Sequence, residues 1–363
     1  MAVANPRCFE QQRCKCRPYD LYLLREAFSV ALQHLRQIRS PVAEHRLLLR
    51  VDIRVLVWAV PRRPTMLTMR TAGALVLVFS LCLLGTPVSS LSACKDQILS
   101  VQVLGSGGPY GDGRASAGYI VWIDGISRIM VDAGGGTFAR FHESGARLAD
   151  LSLLALSHFH PDHASEVPAL LWPRGGTIRV AGPSGNNRFP SVDDFLDGLV
   201  GPEGVFRILS PRVTLDTVTV NVSASEPRDI LTEGKVRVRG LGVPHGTVPT
   251  VGYRIDVADA SIAFSSDQNG TNPAFADFVR DVDVLVVHFA GSENSTAADR
   301  TATSDLHAKP SVWGQMASDA GVGTVVLSHL SANQDLDTNI LHLRSRYRGP
   351  ITVAEDLLCV SVE

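Results

Sequence analysis

The stretch "LSHFHPDHAS", Leu156–Ser165, sets three histidines and an aspartate within six positions, directly after the apolar run "LSLLA". A carboxylate and several imidazoles at the end of a buried strand are costly unless a partner neutralises and coordinates them. His158 and His160 are two residues apart and can turn both rings onto one ion. Asp162 and His163 follow Pro161, which turns the chain and suits them to a second ion beside the first. Imidazole and carboxylate are zinc ligands, and the scarcity of cysteine argues against a closed structural site, which usually uses thiolates. Two ions about 3.5–4 Å apart can hold a bridging hydroxide and polarise the oxygen it attacks, so the stretch predicts hydrolysis.

The rest of the chain repeats this placement. From Ile98 onward β-branched segments such as "ILSVQVLGSGG", "AGYIVWIDG", "SRIMVDAGGG", "TIRVAGP", "VTVNVSA" and "KVRVRGLGV" alternate with Gly-, Asp- and Pro-rich turns and read as strands. "SVDDFLDGLV", "NPAFADFVRD", "KPSVWGQMASDAG" and "DLDTNILHLRSRY" carry apolar residues at helical spacing, with Ser191, Asn272 and Asp335 as caps. Many strands with interspersed helices are enough for two sheets. His158, His245, Asp267, His288 and His329 each follow an apolar run. In layered α/β folds such strand ends gather at one edge, where ligands bind.

These residues resemble the metallo-β-lactamase superfamily of binuclear hydrolases, whose hallmark is His-x-His-x-Asp-His after a strand. Within it the likeness is to the ribonuclease Z and related phosphodiesterase branch. It is carried by "VLGSGGPYGDGRASAGYIV", "IMVDAGGGT", "LLALSHFHPDHASEVPALL", "VAGPSG", "VPHGTVPTVGYRI", "IAFSSDQ" and "VVLSHLSA", spanning Val101 to Ala332. The resemblance implies an α/β fold, a four-layer αβ/βα sandwich of two mixed sheets flanked by helices. It implies two Zn²⁺, with Mn²⁺ or Fe as alternatives: His158, His160 and His245 on one ion, Asp162, His163 and His329 on the other, and Asp267 bridging. Asp162 and His307 are then the candidate catalytic residues. His307, in "SDLHAKPS", takes the place of a histidine that assists phosphodiester cleavage, protonating the leaving oxygen. His288 matches a histidine standing behind the metal ligands, which family members follow with glutamate; here Phe289 follows.

Charge divides the chain. Of 34 Lys+Arg and 36 Asp+Glu, residues 1–70 hold 13 and 5, and residues 71–93 hold none, leaving 21 and 31 for residues 94–363. A body so acidic is a poor general binder of polyanions. Members that process transfer RNA carry a long arm, whereas "GYRIDVADASIAFSSD" passes from strand to strand through a tight Asp256–Ala260 turn. Transfer RNA is therefore disfavoured and a small-molecule ester or phosphodiester favoured. A homodimer is left open.

Between the two parts, "MRTAGALVLVFSLCLLGTPVSSLSAC" has a basic Arg70, an apolar run of 14 residues from Ala72 to Gly85 and a small-residue end. That is the layout of a secretory signal, too short to span a bilayer comfortably. Leu91-Ser92-Ala93-Cys94 resembles a lipobox, implying acylation of Cys94; cleavage at Leu-Ser-Ala without acylation is the alternative. Residues 1–65 then read as a mis-assigned or disordered leader, although Cys8, Cys14 and Cys16 are compatible with a partial metal site. Residues 66–93 read as the signal, and 94–363 as the hydrolase domain. Beyond Cys94 only Cys359 remains, so a disulfide within the body would have to use Cys94. The expected protein is an exported, membrane-anchored lipoprotein, outside the cytoplasmic membrane or in the periplasm, acting as a phosphodiesterase. The alternatives are a lactonase, arylsulfatase or β-lactamase-like hydrolase, and a surface-anchored zinc-binding partner protein without catalysis.

Overall fold

The computed structural model describes residues 94–294 and 303–362. The leader over residues 1–65 and the signal over 66–93 lie outside the described residues. The first sheet is built from β1 (Leu99–Gly105), β2 (Gly118–Ile123), β3 (Ile126–Val131), β4 (Leu153–Ala155), β5 (Gly176–Pro183) and β6 (Val213–Val220). The second contains β7 (Arg228–Glu233), β8 (Val236–His245), β9 (Val248–Val257), β10 (Ala260–Phe264), β11 (Val284–His288), β12 (Thr324–Ser328) and β13 (Ile351–Val353). The last strand, β14 (Cys359–Ser361), returns to the first sheet, giving the orders β14-β1-β2-β3-β4-β5-β6 and β13-β12-β11-β10-β9-β8-β7. Both sheets are mixed. β3 to β6 and β10 to β13 run parallel, and hairpins complete each sheet.

Alternation along the strands builds the layers. Val101, Tyr119, Val121 and Ile129 point to an inner core shared with Val251, Tyr253, Phe264 and Val286 of the second sheet. Ile120, Trp122 and Met130, one residue out of phase, face outward instead. There they meet α1 (Thr137–Glu143), α2 (Pro161–Ala164), α3 (Val167–Arg174) and α4 (Val192–Val200), through Phe141, Leu170 and Leu196 among others. The second sheet is covered likewise by α5 (Pro273–Phe278), α7 (Pro310–Asp319) and α8 (Leu336–Arg344), with the short α6 (Thr303–Leu306) preceding α7. Burying each such side chain is worth about 1.5–3 kcal/mol, so strands apolar on both faces are what a four-layer sandwich requires. This is the expected architecture.

The four expected helices form, three with the expected caps. Ser191 makes a reciprocal capping box with Asp194, and Asn272 and Asp335 accept backbone N–H bonds at their helix starts. "VTVNVSA" is displaced: β6 ends at Val220, because Asn221 Oδ1 accepts the Ser223 N–H and turns the chain. β9 and β10 are joined through Ala258 and Asp259 alone, the tight turn expected there. Among the described residues no helix is long and apolar enough to cross a membrane.

The expectation of a lipid on Cys94 is corrected here. Cys94 is fully buried and its sulfur is bonded to Cys359, 265 residues away. A sulfur held in a disulfide cannot also carry a thioether-linked lipid. The bond instead fastens the segment entering β1 to β14, a three-residue edge strand that makes few ladder bonds of its own. Disulfides closing long loops are worth about 2–4 kcal/mol. Cys359→Ser is therefore expected to lower the unfolding free energy by an amount of that order, read from the denaturant midpoint and slope, and non-reducing peptide mapping should recover the Cys94 and Cys359 peptides linked. An acylated Cys94 peptide would contradict the assignment.

Candidate metal centre

The strand ends converge as the sequence implies. β4 delivers Ser157 and His158, α2 delivers Asp162 and His163, β8 ends on His245, β11 ends on His288, and Asp267 and His329 follow β10 and β12. Asp132, Ser266 and His329 adopt left-handed backbone angles, with φ of 57°, 54° and 57°. Such angles are uncommon outside glycine and recur at functional sites, where the chain must turn sharply off a strand. Two glycines admit close approach. A Cβ on Gly134 would stand 2.0 Å from the Asp162 carbonyl oxygen, and one on Gly108 would stand 2.8 Å from the His329 ring.

Asp267 is the centre of the cluster. Its Oδ2 lies 3.6 Å from Nε2 of both His163 and His245 and 4.0 Å from Nε2 of His158. Its Oδ1 lies 3.5 Å from His329 Nε2 and accepts a hydrogen bond from His288 Nδ1 at 2.8 Å. On one side His158 Nε2 and His160 Nδ1 approach to 2.9 Å, with His245 completing a ligand-sized group. On the other side His329 Nε2 stands 3.2 Å from His163 Nε2 and 3.2 Å from Asp162 Oδ2. The seven expected ligands thus form two groups that meet at one carboxylate. His288 stands behind Asp267 as expected, and Phe289 is turned away into the apolar core.

The outer hydrogen bonds settle which nitrogens face inward. Asp132, fully buried, accepts from Ser157 N at 2.7 Å, Ser157 Oγ at 2.8 Å and His163 Nδ1 at 2.8 Å. With its own proton given to Asp132, Ser157 Oγ accepts from His158 Nδ1 at 3.0 Å. His245 Nδ1 donates to the Leu306 carbonyl at 2.8 Å. In all three rings Nε2 faces the cluster, and His245 Nε2 is buried with no protein partner. A buried ring nitrogen left without a partner among converging imidazoles and carboxylates fits a cation site. Burial holds His158, His160, His245 and His288 below the ordinary imidazole value, in the neutral form that metals require. Burial opposes the charge on Asp267, yet the His329, His307 and His163 rings hold it well below the usual carboxylate range. Asp162 is depressed against burial by hydrogen bonds to His163 and His329. His163 is the exception: burial disfavours its cation, but Asp267 and Asp132 outweigh this and raise it. The donor set, its neutral rings and its orphan nitrogen fit a metal centre.

Above this floor opens a pocket of about 350 Å³, walled by Tyr110, His160, Asp162, Leu306 and His307. His307 Nε2 lies 3.9 Å from Asp267 Oδ2, and its side chain is only 12% exposed, so it is a wall residue rather than a solvated loop histidine. Burial brings its pKa down to about 3. Sequence reasoning assigned no role to Asp132, Ser157 or Tyr119. Tyr119 Oη sits 3.0 Å from His288 Nε2 and 2.9 Å from Ser328 Oγ, bridging the sheets under the centre.

The profile of the Beta-lactamase superfamily domain matches residues 127–330. The chain belongs to that superfamily. A ribonuclease Z of Mycobacterium avium is 27% identical over 285 residues, covering 73% of this chain and 99% of the relative. The short form of human tRNase Z superposes with a TM-score of 0.56 at 18% identity, over 73% of this chain and 99% of that one. A metallo-β-lactamase fold protein, YhfI of Bacillus subtilis, gives 0.55 at 19%, over 72% and 98%. Taken with its His/Asp cluster, the superfamily member described here is a metal-dependent hydrolase.

Because Asp132 aims two rings at once, Asp132→Asn is expected to lower metal affinity about 10–100-fold. Metal retained after dialysis against graded chelator measures this; an unchanged retention curve would remove Asp132 from the centre.

Proposed function

We propose that the protein is an exported, binuclear zinc phosphodiesterase of the ribonuclease Z-like branch whose substrate is a small molecule rather than transfer RNA. His158, His160 and His245 would hold one ion, Asp162, His163 and His329 the other, with Asp267 between; Mn²⁺ or Fe could replace zinc. Bound there, the ions would supply Lewis acidity to the reacting phosphoryl group. The observation that carries the reading is His307, a partly buried imidazole on the pocket wall facing the shared carboxylate. Held neutral, its ring accepts the proton of the attacking water at Nε2 and returns it to the departing oxygen, the step an alkoxide leaving group most needs. Asp162, which lines the same pocket, orients the attacking water through its carboxylate.

Two observations support a small substrate. The β9–β10 turn leaves no insertion there to grip an RNA, and the pocket volume suits a compact ester. Export is supported by the Cys94–Cys359 disulfide, since such bonds persist outside the reducing cytosol. We take residues 66–93 as a signal cleaved after Ala93, residues 1–65 as lying outside the mature protein, and 94–363 as the hydrolase domain.

His307→Ala should keep the metal content and depress kcat on an alkyl phosphodiester by about 10²–10⁴-fold, with a far smaller loss on its p-nitrophenyl analogue. Equal losses on both substrates would remove His307 from proton transfer. Wild-type turnover of a lactone, aryl sulfate or cephalosporin without phosphodiester turnover would move the assignment to that chemistry.

A further inference from the structure

Beside the metal pocket lies a second, larger groove of about 540 Å³, and the two share His245. Its walls come from the loop after β5, the turn after β6, the β8–β9 turn and the start of α5. Its lining differs in kind from the rest of the body. No aspartate or glutamate lines it, although residues 94–363 carry 31 acids against 21 bases. No phenylalanine, tyrosine or tryptophan lines it either. What it offers is short hydrogen-bonding chemistry, from Asn187, Ser223 and Thr247, and one cation, Arg188.

Arg188 is held in place from behind. The Asn186 carboxamide accepts the Arg188 N–H at 2.8 Å and the Phe189 N–H at 3.0 Å. Its Nδ2 donates to the Thr247 carbonyl at 2.9 Å, two residues past His245. The loop bearing the arginine is thereby tied to the turn that bears a candidate metal ligand. The guanidinium is exposed, and among the described residues it has no ion-pair or hydrogen-bond partner. An arginine fixed by its backbone over an acid-free polar groove is arranged to bind an anion through paired N–H donors. Without a phenylalanine, tyrosine or tryptophan, the groove leaves a nucleobase only the His245 ring, a candidate metal ligand, and the Arg188 plane that the anion would occupy.

We infer that this groove seats one arm of the substrate, and that the arm is a small, non-aromatic, hydroxylated group ending in a second anion, a phosphomonoester, clamped by Arg188. The inference rests on the phosphodiesterase reading, because it places the scissile bond over the metal pocket and the arm beyond His245. Arg188 is a specificity residue here, touching the arm and not the reacting atoms.

The test is calorimetric titration of the full-length, metal-loaded protein with glycerol 3-phosphate, glycerol and adenosine 5′-monophosphate, on wild type, Arg188→Ala and Arg188→Lys. Glycerol 3-phosphate should bind wild type, glycerol should not, and Arg188→Ala should weaken the phosphate about 10–100-fold. Lysine should recover part of this, because it restores the charge but not the fork. Equal affinity in wild type and Arg188→Ala would mean that the phosphate sits at the metal centre alone, and would overturn the inference, as would no binding at all. Adenosine 5′-monophosphate binding tenfold or more tighter than glycerol 3-phosphate would overturn the non-aromatic class. Wild-type turnover of bis-p-nitrophenyl phosphate is scored separately. Its absence would sink the phosphodiesterase reading while the calorimetry still decides on Arg188.

Discussion

A single carboxylate, that of Asp267, governs this structure. It is almost fully buried, and imidazoles of five histidines, His158, His163, His245, His307 and His329, stand 3.5–4.0 Å from it, with His288 bonded to its other flank. An unpaired charge in such a place would cost several kcal/mol. The protein meets the cost by surrounding it with imidazoles, of which His163 is, against burial, favoured as its cation by Asp267 and Asp132 while burial holds His158 and His245 neutral. What is left is a buried carboxylate among imidazoles whose inward nitrogens suit them to hold a metal ion.

The two sheets exist to hold that arrangement. The candidate ligands come from both, so the centre is only as well defined as the contact between sheets. That contact is fixed close to the site: the Val251 N–H donates to the Ser157 carbonyl at 2.9 Å, and Tyr253 Oη donates to the Leu156 carbonyl at 2.6 Å. The strand that delivers the histidine loop is thus bonded directly to the strand facing it. Tyr119 closes a second bridge from β2 to His288 and Ser328. On the solvent side, Asp356 binds Ser106 and the Ala115 N–H, securing the loop that carries Tyr110 over the pocket.

The parts legible in the sequence were those with a local signature. Four candidate ligands lie within six residues, and the others each end an apolar run, so periodicity and residue type sufficed to point to them. The capped helices were legible for the same reason, since a cap and its partner sit two or three residues apart. Asp132 was quoted within its glycine-rich segment but given no role, because its partners lie 25 and 31 residues away and meet it only once β3 and β4 pair in parallel. Strands β7, β13 and β14 were missed because they are short or partly exposed edges without clean alternation. Cys94 was misread for a related reason: four residues around it mimic an acylation signal, while its true partner is 265 residues distant. The Arg188 groove had no sequence signature at all, since it is defined by which side chains are absent.

The account stands or falls on what sits around Asp267. Anomalous diffraction from zinc-loaded crystals measures this directly. The account predicts two peaks about 3.5–4 Å apart, one within reach of His158, His160 and His245 and the other within reach of Asp162, His163 and His329, with the Asp267 carboxylate between them. A single peak, or density at Asp267 explained by hydrogen bonds alone, would contradict it.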